Sequence, residues 1–384
     1  MNLKKLTLYS SVFAIQGLSN AVIPVLPELA GGGSSSSIVS SLLFSGYFIG
    51  AFLAFVPLGI LADRIGNLKV IAFGILLTLI SGLFISFSEN LWILGIFRFL
   101  EGIGCGAFFP AAFSMIAEWK DSRQSLGEFN FLLNAGLAAG VFFSGMLAEL
   151  GIKTAIGIFT FLAALSCVFL LLEAKELLPL GIKRKESNFP GCGANVENQS
   201  KFSLFSELRQ YLIKARKTMF KSIFWKIWAI SVLLYGATGL LTANYPDYSA
   251  GFLTKPELGL AISASYIAAM LSSLIAGRMD MSPKNIVKTG IIITVAGIFL
   301  SVKFPILAFS LIGTGGGITI VGLIIAVSRI SSSGFVMGLF NTGIYAGLGL
   351  GPIFGSFFLG TFGYETVFLG SGFLLLTMFF VKLE

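Results

Sequence analysis

Uninterrupted apolar runs, each about 20 residues long, recur along this 384-residue chain. A run of that length can cross the hydrocarbon core of a bilayer as an α-helix, whereas a membrane β-barrel would have alternating segments of about ten residues. Charged residues make up only 11% of the chain, against about 25% in soluble proteins. Polar groups therefore cannot cover a water-exposed surface, and we predict an all-α membrane protein.

Twelve such runs fall into two sets of six, separated by a polar interval. The predicted spans cover residues 6–28, 38–62, 69–88, 91–117, 126–149, 152–173, 224–247, 258–278, 286–302, 304–328, 335–360 and 363–381. Only "KFP" separates the ninth run from the tenth. The first run ends in "PVLPEL" and has no small-residue cleavage site, so we interpret it as a retained span instead of a signal peptide.

Basic residues are distributed unevenly between the loops. If the N-terminus is inside, 22 of the 26 Lys and Arg residues lie in cytoplasmic segments. The exceptions are Lys153, Lys255 and Lys303 outside and Arg98 within a span. Because this bias sets orientation, we expect a multi-pass protein of the plasma or inner membrane with both termini in the cytoplasm. The net charge of +8 then reflects topology and does not indicate nucleic-acid binding.

The polar interval, residues 175–223, separates a predicted N-terminal six-helix bundle (1–174) from a C-terminal one (224–384). Its first part, "KRKESNFPGCGANVENQSK", is polar and contains glycine, which favours a flexible cytoplasmic linker. Its second part, "FSLFSELRQYLIKARKTMFKSIFW", spaces apolar residues among Lys and Arg at helical intervals. That pattern is typical of a basic amphipathic helix on the inner leaflet. The alternative is a solvated linker that simply obeys the positive-inside rule.

The two halves contain an internal repeat. A shift of 211 residues aligns residues 127–143 with 338–354 without a gap, and eight of the seventeen positions are identical. The shift also superimposes three glycines of each half: Gly102, Gly104 and Gly106 fall on Gly313, Gly315 and Gly317. Parallel repeats of six spans suit alternating access around a site at the membrane midplane. We therefore predict two pseudo-symmetric bundles.

The loop after the second predicted span reads "GILADRIGNLK" (59–69) and resembles the G-x-L-A-D-R-x-G-R-K signature of the major facilitator superfamily. The match is carried by Gly59, Leu61, Ala62, Asp63, Arg64, Gly66 and Lys69, the last of these one position late. Glycine permits a tight turn, and Asp63 is placed to accept hydrogen bonds from a neighbouring helix N-terminus. The resemblance implies a loop that locks the cytoplasmic side in the outward-open state, although Asn67 replaces the Arg that would pair with Glu118. The alternative is a turn that only sets topology.

Two further elements resemble the drug:proton antiporters of this superfamily. The first span ends "GLSNAVIPVLP", similar to their P-V-x-P element, and Pro24 and Pro27 would kink its outer third. The fifth span, "GLAAGVFFSG", is similar to their G-x-x-x-G-P-x-x-G-G motif, with Val141 at the proline position, and the eleventh span, "GLGLGPIFGS", is the better copy. The residues of this glycine motif are Gly136, Gly140, Gly145, Gly347, Gly351 and Pro352. The resemblance implies antiport, and close helix packing is the alternative.

The fourth span contains "FRFLEGIGCG" (97–106), which resembles the family's R-x-x-Q-G-x-G element with Glu101 in place of Gln. A charge at the bilayer centre costs at least about 2.5–3.5 kcal/mol, so it normally faces a cavity or a partner. Arg98 and Glu101, three residues apart, share one helix face. We hypothesise that Glu101 exchanges a proton as access alternates, with Arg98 tuning its proton affinity. A neutralising structural pair is the alternative. Asp247 is a second candidate acid, for which an ordinary loop aspartate is the alternative.

Polar and aromatic residues of the spans that would line a central cavity are candidates for substrate binding. They are Gln16, Asn20, Asn134, Tyr235, Asn244, Asn341 and Tyr345. The chain has 39 Phe and few charges within its spans, which favours an amphipathic or apolar solute over a sugar phosphate. Asn134 and Tyr345 are equivalent under the 211-residue shift, as are Asn130 and Asn341.

These features predict a monomeric secondary transporter of the major facilitator fold that exports small amphipathic compounds in exchange for protons. A metabolite facilitator or symporter, and a flippase for lysolipids or lipid carriers, are the alternatives. An enzyme is not expected, because the chain has no His and no recognisable nucleophile–base pair. Its three Cys residues lack metal-ligand spacing, so we expect neither a metal site nor a cofactor.

Overall fold

The computed structural model describes residues 3–31, 36–177, 213, 218–219, 221–330 and 334–382. Within those ranges, eleven helical stretches are long and apolar enough to cross a membrane. Helices suit that environment because they satisfy their backbone hydrogen bonds internally. The predicted all-helical membrane class is confirmed. The helices are α1 (Leu3–Ala21), α2 (Ser36–Ile65), α3 (Asn67–Phe87), α4 (Leu91–Ala117), α5 (Ser122–Leu147), α6 (Thr154–Leu177), α7 (Ser222–Ser249), α8 (Lys255–Ala276), α9 (Pro283–Leu300), α10 (Pro305–Ile330) and α11 (Gly334–Thr377).

Proline interrupts the first helix, as predicted. α1 ends at Ala21 and is followed by a 3₁₀ turn (Ile23–Val25) and a short helix (Leu26–Leu29), each with a proline in its first turn. A proline ring fixes φ and removes a backbone donor, so a helix cannot continue through it unchanged. The boundary between the ninth and tenth predicted spans is also confirmed, since α9 ends at Leu300 and α10 begins at Pro305.

The helical stretch α11 breaks at Gly363, where the eleventh and twelfth predicted spans meet. Gly363 has φ 75° and ψ 165°, a conformation that glycine adopts without the steric cost of a side chain. After the break, residues 364–380, here named the C-terminal segment, run antiparallel to α9. Phe373 lies 4.9 Å from Phe299 between ring centroids, and the Phe379 ring lies 4.5 Å from Lys288 Nζ.

We call the membrane face at which α1 begins and α2 ends the basic face, and the other the opposite face.

The glycines that the repeat predicts to be equivalent make equivalent contacts in the two halves of the chain. A Cβ at Gly104 would come within 2.8 Å of the Gly74 carbonyl oxygen on α3, and one at Gly315 within 2.5 Å of that of Gly290 on α9. A Cβ at Gly102 or Gly313 would overlap a carbonyl oxygen of α2 or α8. α4 and α10 therefore pack backbone to backbone against matching neighbours.

Two adjacent glycines of α10 test this packing. Gly315→Ala is expected to lower the melting temperature markedly, because its methyl group would meet the backbone of α9 and the Thr294 side chain. Gly316→Ala is the matched control, since nothing described lies within 4 Å of its added Cβ, and alanine favours the helix. Thermal unfolding in detergent measures both variants. Equal melting temperatures for the two variants would contradict the close approach of α9 and α10.

The glycine motif joins helices both within and between the halves. Gly140 on α5 faces the backbone of Gly17 on α1, and Gly351 on α11 faces that of Gly236 on α7. Farther along α5, a Cβ at Gly145 would come within 2.8 Å of Cα of Gly259 on α8. The motif therefore has a packing function in this structure, as expected of glycines four residues apart.

The hydrophobic core is continuous between the halves only toward the opposite face, among the described residues. The first-half members of the largest cluster, such as Val22, Leu43 and Ile156, all lie toward that face and pack with the core of the second half. First-half residues toward the basic face form a separate cluster, in which Tyr345 is the one described member from the second half. Among the described residues, the halves thus share an apolar core toward the opposite face and have separate apolar cores toward the basic face.

The predicted amphipathic helix of the linker lies almost entirely outside the described residues, which include only Ile213, Thr218 and Met219 between residues 178 and 220. The boundaries proposed for the two bundles and the linker therefore stay predictions.

Candidate functional site

Arg98 and Glu101 form an ion pair in the interior of the first half. Arg98 Nη1 donates to Glu101 Oε2 at 2.5 Å, and the two side chains are 2% and 0% exposed. Two further donors of the guanidinium reach other helices: Nε donates to the Leu43 carbonyl on α2 at 3.2 Å and Nη2 to the Ser19 carbonyl on α1 at 3.3 Å. Arg98 thus ties α1, α2 and α4 together while it neutralises Glu101.

One carboxylate oxygen of Glu101 lacks a hydrogen-bond donor among the described residues. Glu101 Oε1 is buried and accepts no hydrogen bond from any described residue. A buried polar atom without a partner is uncommon in folded proteins and has an energetic cost of about 1–3 kcal/mol. The pair predicted from the spacing of the two charges therefore exists, and its carboxylate keeps an acceptor position available for a proton or a ligand.

Residues of both halves meet next to this pair. The Arg98 guanidinium carbon lies 5.1 Å from the Tyr47 ring centroid, a cation–π distance. The side chains of Tyr47 on α2 and Tyr345 on α11 both lie close to that of Cys105, one helical turn beyond Glu101. Tyr345 also packs its ring 4.7 Å from that of Phe55. A rearrangement of α11 against the first half would therefore change the surroundings of Glu101.

Gln16 and Tyr235 occupy equivalent positions on α1 and α7. The Cβ of Gln16 lies 3.2 Å from an added Cβ at Gly136, and that of Tyr235 lies 3.1 Å from one at Gly347. Gln16 is also connected to the ion-pair region, because its Oε1 lies 3.5 Å from the Tyr47 hydroxyl. Tyr235 is half-buried, as are Asn134, Asn341 and Tyr345. These side chains lie on α5, α7 and α11.

Two other predicted cavity residues are packed between helices in this conformation. Asn20 donates from Nδ2 to the Leu137 carbonyl at 3.2 Å and lies close to the hydroxyl of Tyr266 on α8. Asn244 accepts from the Ser41 hydroxyl at 3.0 Å and is 0% exposed. Both side chains link the halves near the opposite face.

A lysine of the second half closes the opposite face. Lys255 Nζ lies 2.7 Å from Glu28 Oε1 and donates to the Pro24 carbonyl at 2.7 Å. The proline-interrupted end of α1 is therefore held by a cation from α8. Asp247 lies nearby, beside Tyr364, which is also close to Ser37 on α2. The structure thus places Asp247 in the network of the opposite face and does not bring it together with Glu101.

The loop at residues 59–69 forms a tight connection on the basic face. Gly66 has φ 97° and ψ 143°, which a side chain would strain. Asn67, the first residue of α3, donates to the Ser114 hydroxyl on α4 at 3.2 Å. Asn67 thus contacts the fourth helix through a neutral hydrogen bond one turn before Glu118. Asp63 and Lys69 are exposed, and Arg64 is half-exposed.

Sequence reasoning missed several residues of this network: Ser19, Ser41, Tyr47, Cys105, Glu28 and Lys255. Cys105 could have been found, because it continues the Arg98–Glu101 helix face by one turn. The partners of Arg98 on α1 and α2 could not, since no local pattern specifies which carbonyls a helix from elsewhere will approach.

The opposite face should open more easily without the Lys255 side chain. In a background without native cysteines, Lys255→Met is expected to raise the labelling rate of Ser41→Cys by an impermeant maleimide about two- to five-fold. A half-exposed ion pair contributes up to about 1 kcal/mol to the stability of the closed state, which is about a five-fold change in the open population. Because Ser41 is fully buried while the face is closed, its labelling rate reports that population. Lys303→Met, an exposed lysine on the same face, is the matched control. Labelling that does not respond to Lys255→Met would contradict the closing role of this lysine.

Comparison with known proteins identifies the fold and family. The model of the Major Facilitator Superfamily matches residues 8–253 and 227–383, nearly the whole chain. The chain belongs to the major facilitator superfamily. It is accordingly a multi-pass membrane protein and not an enzyme, and the family resemblance of the loop motif at residues 59–69 is confirmed.

Similarity to individual proteins covers less of the chain. The multidrug resistance protein MdtG of Citrobacter koseri is 31% identical over 127 residues, which is 32% of this chain and 31% of that protein. A putative inorganic phosphate cotransporter of Drosophila melanogaster is 28% identical over 138 residues, 34% of this chain and 26% of that protein. The chain thus matches less than a third of the length of either relative.

Solved structures match over almost the full length. The nucleoside transporter NupG superimposes with a TM-score of 0.69 at 16% identity, covering 98% of this chain and 99% of that one. A bacterial homologue of the human lysosomal transporter Spinster, inward-facing and occupied, superimposes with a TM-score of 0.71 at 14% identity, covering 98% and 93%. At these identities the similarity establishes the fold alone.

Proposed function

We propose that this major facilitator protein is a secondary transporter that exports small amphipathic compounds in exchange for protons by alternating access. The observation that carries the proposal is the buried Arg98–Glu101 pair, whose carboxylate keeps one unbonded oxygen beside a contact between the halves. A titratable group in that position can exchange its proton when the contact changes.

In the proposed topology the chain crosses the membrane twelve times as two bundles of six. The last helical stretch, Val336–Phe380, has 45 residues, or about 68 Å of helix against a hydrocarbon core of about 30 Å. With the break at Gly363, it accommodates two spans. The basic face then carries both termini and lies in the cytoplasm, in accordance with the excess of Lys and Arg there.

In this topology the conformation described here is inward-open. The sealed opposite face, with Lys255 bound to Glu28 and the Pro24 carbonyl, is the external gate. The division of the core toward the basic face supports a cavity open to the cytoplasm, lined by Gln16, Asn134, Tyr235, Asn341 and Tyr345. Asn20 and Asn244 would join that lining when the external gate opens.

Amphipathic substrates are favoured by the chemistry of this lining. Its proposed side chains are amides and tyrosines, which offer hydrogen bonds and aromatic surface without a fixed charge. The similarity of a third of the chain to MdtG, a protein named for multidrug resistance, agrees with such substrates. Glu101, paired with Arg98, supplies the proton step.

Flux in proteoliposomes tests this function. Ethidium and tetraphenylphosphonium should be expelled or accumulated according to an imposed pH gradient, and empty liposomes are the control. Flux of a metabolite that ignores the gradient would support a facilitator instead. Headgroup-dependent translocation of a fluorescent lysolipid, without dye flux, would support a flippase.

A further inference from the structure

The second half contains an apolar cavity of about 480 Å³ between α7, α11 and the C-terminal segment. Its floor is formed by Gly236 and Gly351, where the backbones of α7 and α11 are in contact. It extends from the middle of α7 to Phe362 beside the break at Gly363, so it occupies the half of the membrane nearer the opposite face. Its volume lies in the range of about 300–1,000 Å³ that is typical of ligand sites.

The internal repeat explains why the cavity exists. The 211-residue shift carries Phe159 of α6 onto Gly370 of the C-terminal segment. In the first half, the Phe159 ring fills the space beside Gly17, so closely that a Cβ on Gly17 would overlap it. Gly236 is the counterpart of Gly17, because each faces its motif glycine across the helix contact. The place that an aromatic ring fills in one half is thus empty in the other.

Exposure of the equivalent residues confirms this asymmetry. Five residues on the inner face of α6 are at most 4% exposed: Ala155, Ile156, Phe159, Thr160 and Ala163. Their counterparts line the cavity and are half-exposed or exposed: Thr366, Val367, Gly370, Ser371 and Leu374. The second half therefore leaves uncovered the surface that the first half buries.

We propose that this cavity binds an acyl chain of a membrane lipid from the leaflet at the opposite face. The rim consists of exposed aromatic side chains that face the bilayer, including Phe354 and Phe358. None of the described residues that line the cavity is charged, and the Ser371 hydroxyl donates to the Phe368 carbonyl at 2.7 Å. Empty apolar space loses dispersion contacts, and an acyl chain restores what Phe159 supplies in the first half.

This inference does not rest on the transport proposal, and photo-crosslinking tests it. The full chain is reconstituted in vesicles that contain a phosphatidylcholine with a diazirine at the end of one acyl chain. Adducts should concentrate on cavity residues such as Leu240 and Leu374, relative to Leu83, an exposed residue of α3. Gly370→Phe should reduce the cavity adducts roughly ten-fold and leave those on Leu83 unchanged. The variant should fold, because nothing described lies within 4 Å of a Cβ at Gly370.

The first half offers the reciprocal change. Phe159→Ala should create new adducts around Gly17, where we expect wild-type protein to have none above the level of Leu83, because the Phe159 ring fills that space. If Phe159→Ala fails to fold, as judged by gel filtration, the Gly370→Phe arm decides alone. Adducts spread evenly around the helices, or cavity adducts that persist in Gly370→Phe, would overturn the proposal.

Discussion

Glu101→Gln is expected to abolish substrate movement driven by a pH gradient while leaving exchange of substrate down its own gradient. A glutamine can still accept a hydrogen bond from Arg98, but it cannot take up or release a proton. Arg98 keeps its bonds to the Leu43 and Ser19 carbonyls, so the helices around it stay connected. Ethidium flux into proteoliposomes, with and without an imposed gradient, measures the two activities.

Glu149→Gln is the matched control, because Glu149 is an exposed acid at the opposite face. It should retain gradient-driven flux at the wild-type level. A Glu101→Gln variant that concentrates ethidium as well as wild-type protein would contradict the assignment of proton exchange to Glu101. Loss of both driven and exchange flux would instead identify the pair as a structural element.

Arg98→Ala is expected to destabilise the protein more than any other single change at the site. It removes the partner of a fully buried carboxylate and two bonds that tie α1 and α2 to α4. Breaking a buried ion pair from one side typically lowers the free energy of unfolding by about 3–5 kcal/mol. Thermal unfolding in lipid nanodiscs should show a large loss relative to wild type.

A double-mutant cycle separates the ion pair from the carbonyl contacts. In the Arg98→Ala, Glu101→Gln double variant, the stranded charge is absent, so part of the lost stability should return. The remaining deficit measures the bonds to Leu43 and Ser19. If the stability losses of the two single variants simply add up in the double variant, Arg98 and Glu101 are not energetically coupled, and the account is contradicted.

Features that depend on neighbouring residues in the chain were predictable from the sequence. Continuous apolar runs identified the helices, Pro24 and Pro27 marked the interruption of α1, and the 211-residue shift identified glycines that make matching contacts. The shared face of Arg98 and Glu101 follows from helix periodicity alone. Each of these signals is local or repeats at a fixed spacing.

Contacts between distant helices were not predictable in this way. Lys255 was interpreted only as a loop lysine, but the interruption of α1 frees the Pro24 carbonyl that it binds. Tyr345 was assigned to the cavity from its position, whereas its contact with Phe55 of the first half depends on how the halves meet. The apolar cavity was not predictable from the repeat either. Gly370 stands where the first half has Phe159, and such a difference is common between membrane helices.

Proton exchange at Glu101 makes a direct prediction for purified protein in weakly buffered detergent solution. Ethidium added to wild-type protein should acidify the medium as the dye binds, and the Glu101→Gln variant should bind the dye without a change in pH. Binding is followed by dye fluorescence in the same sample. Dye binding to wild-type protein without acidification, or equal acidification by the variant, would contradict the account.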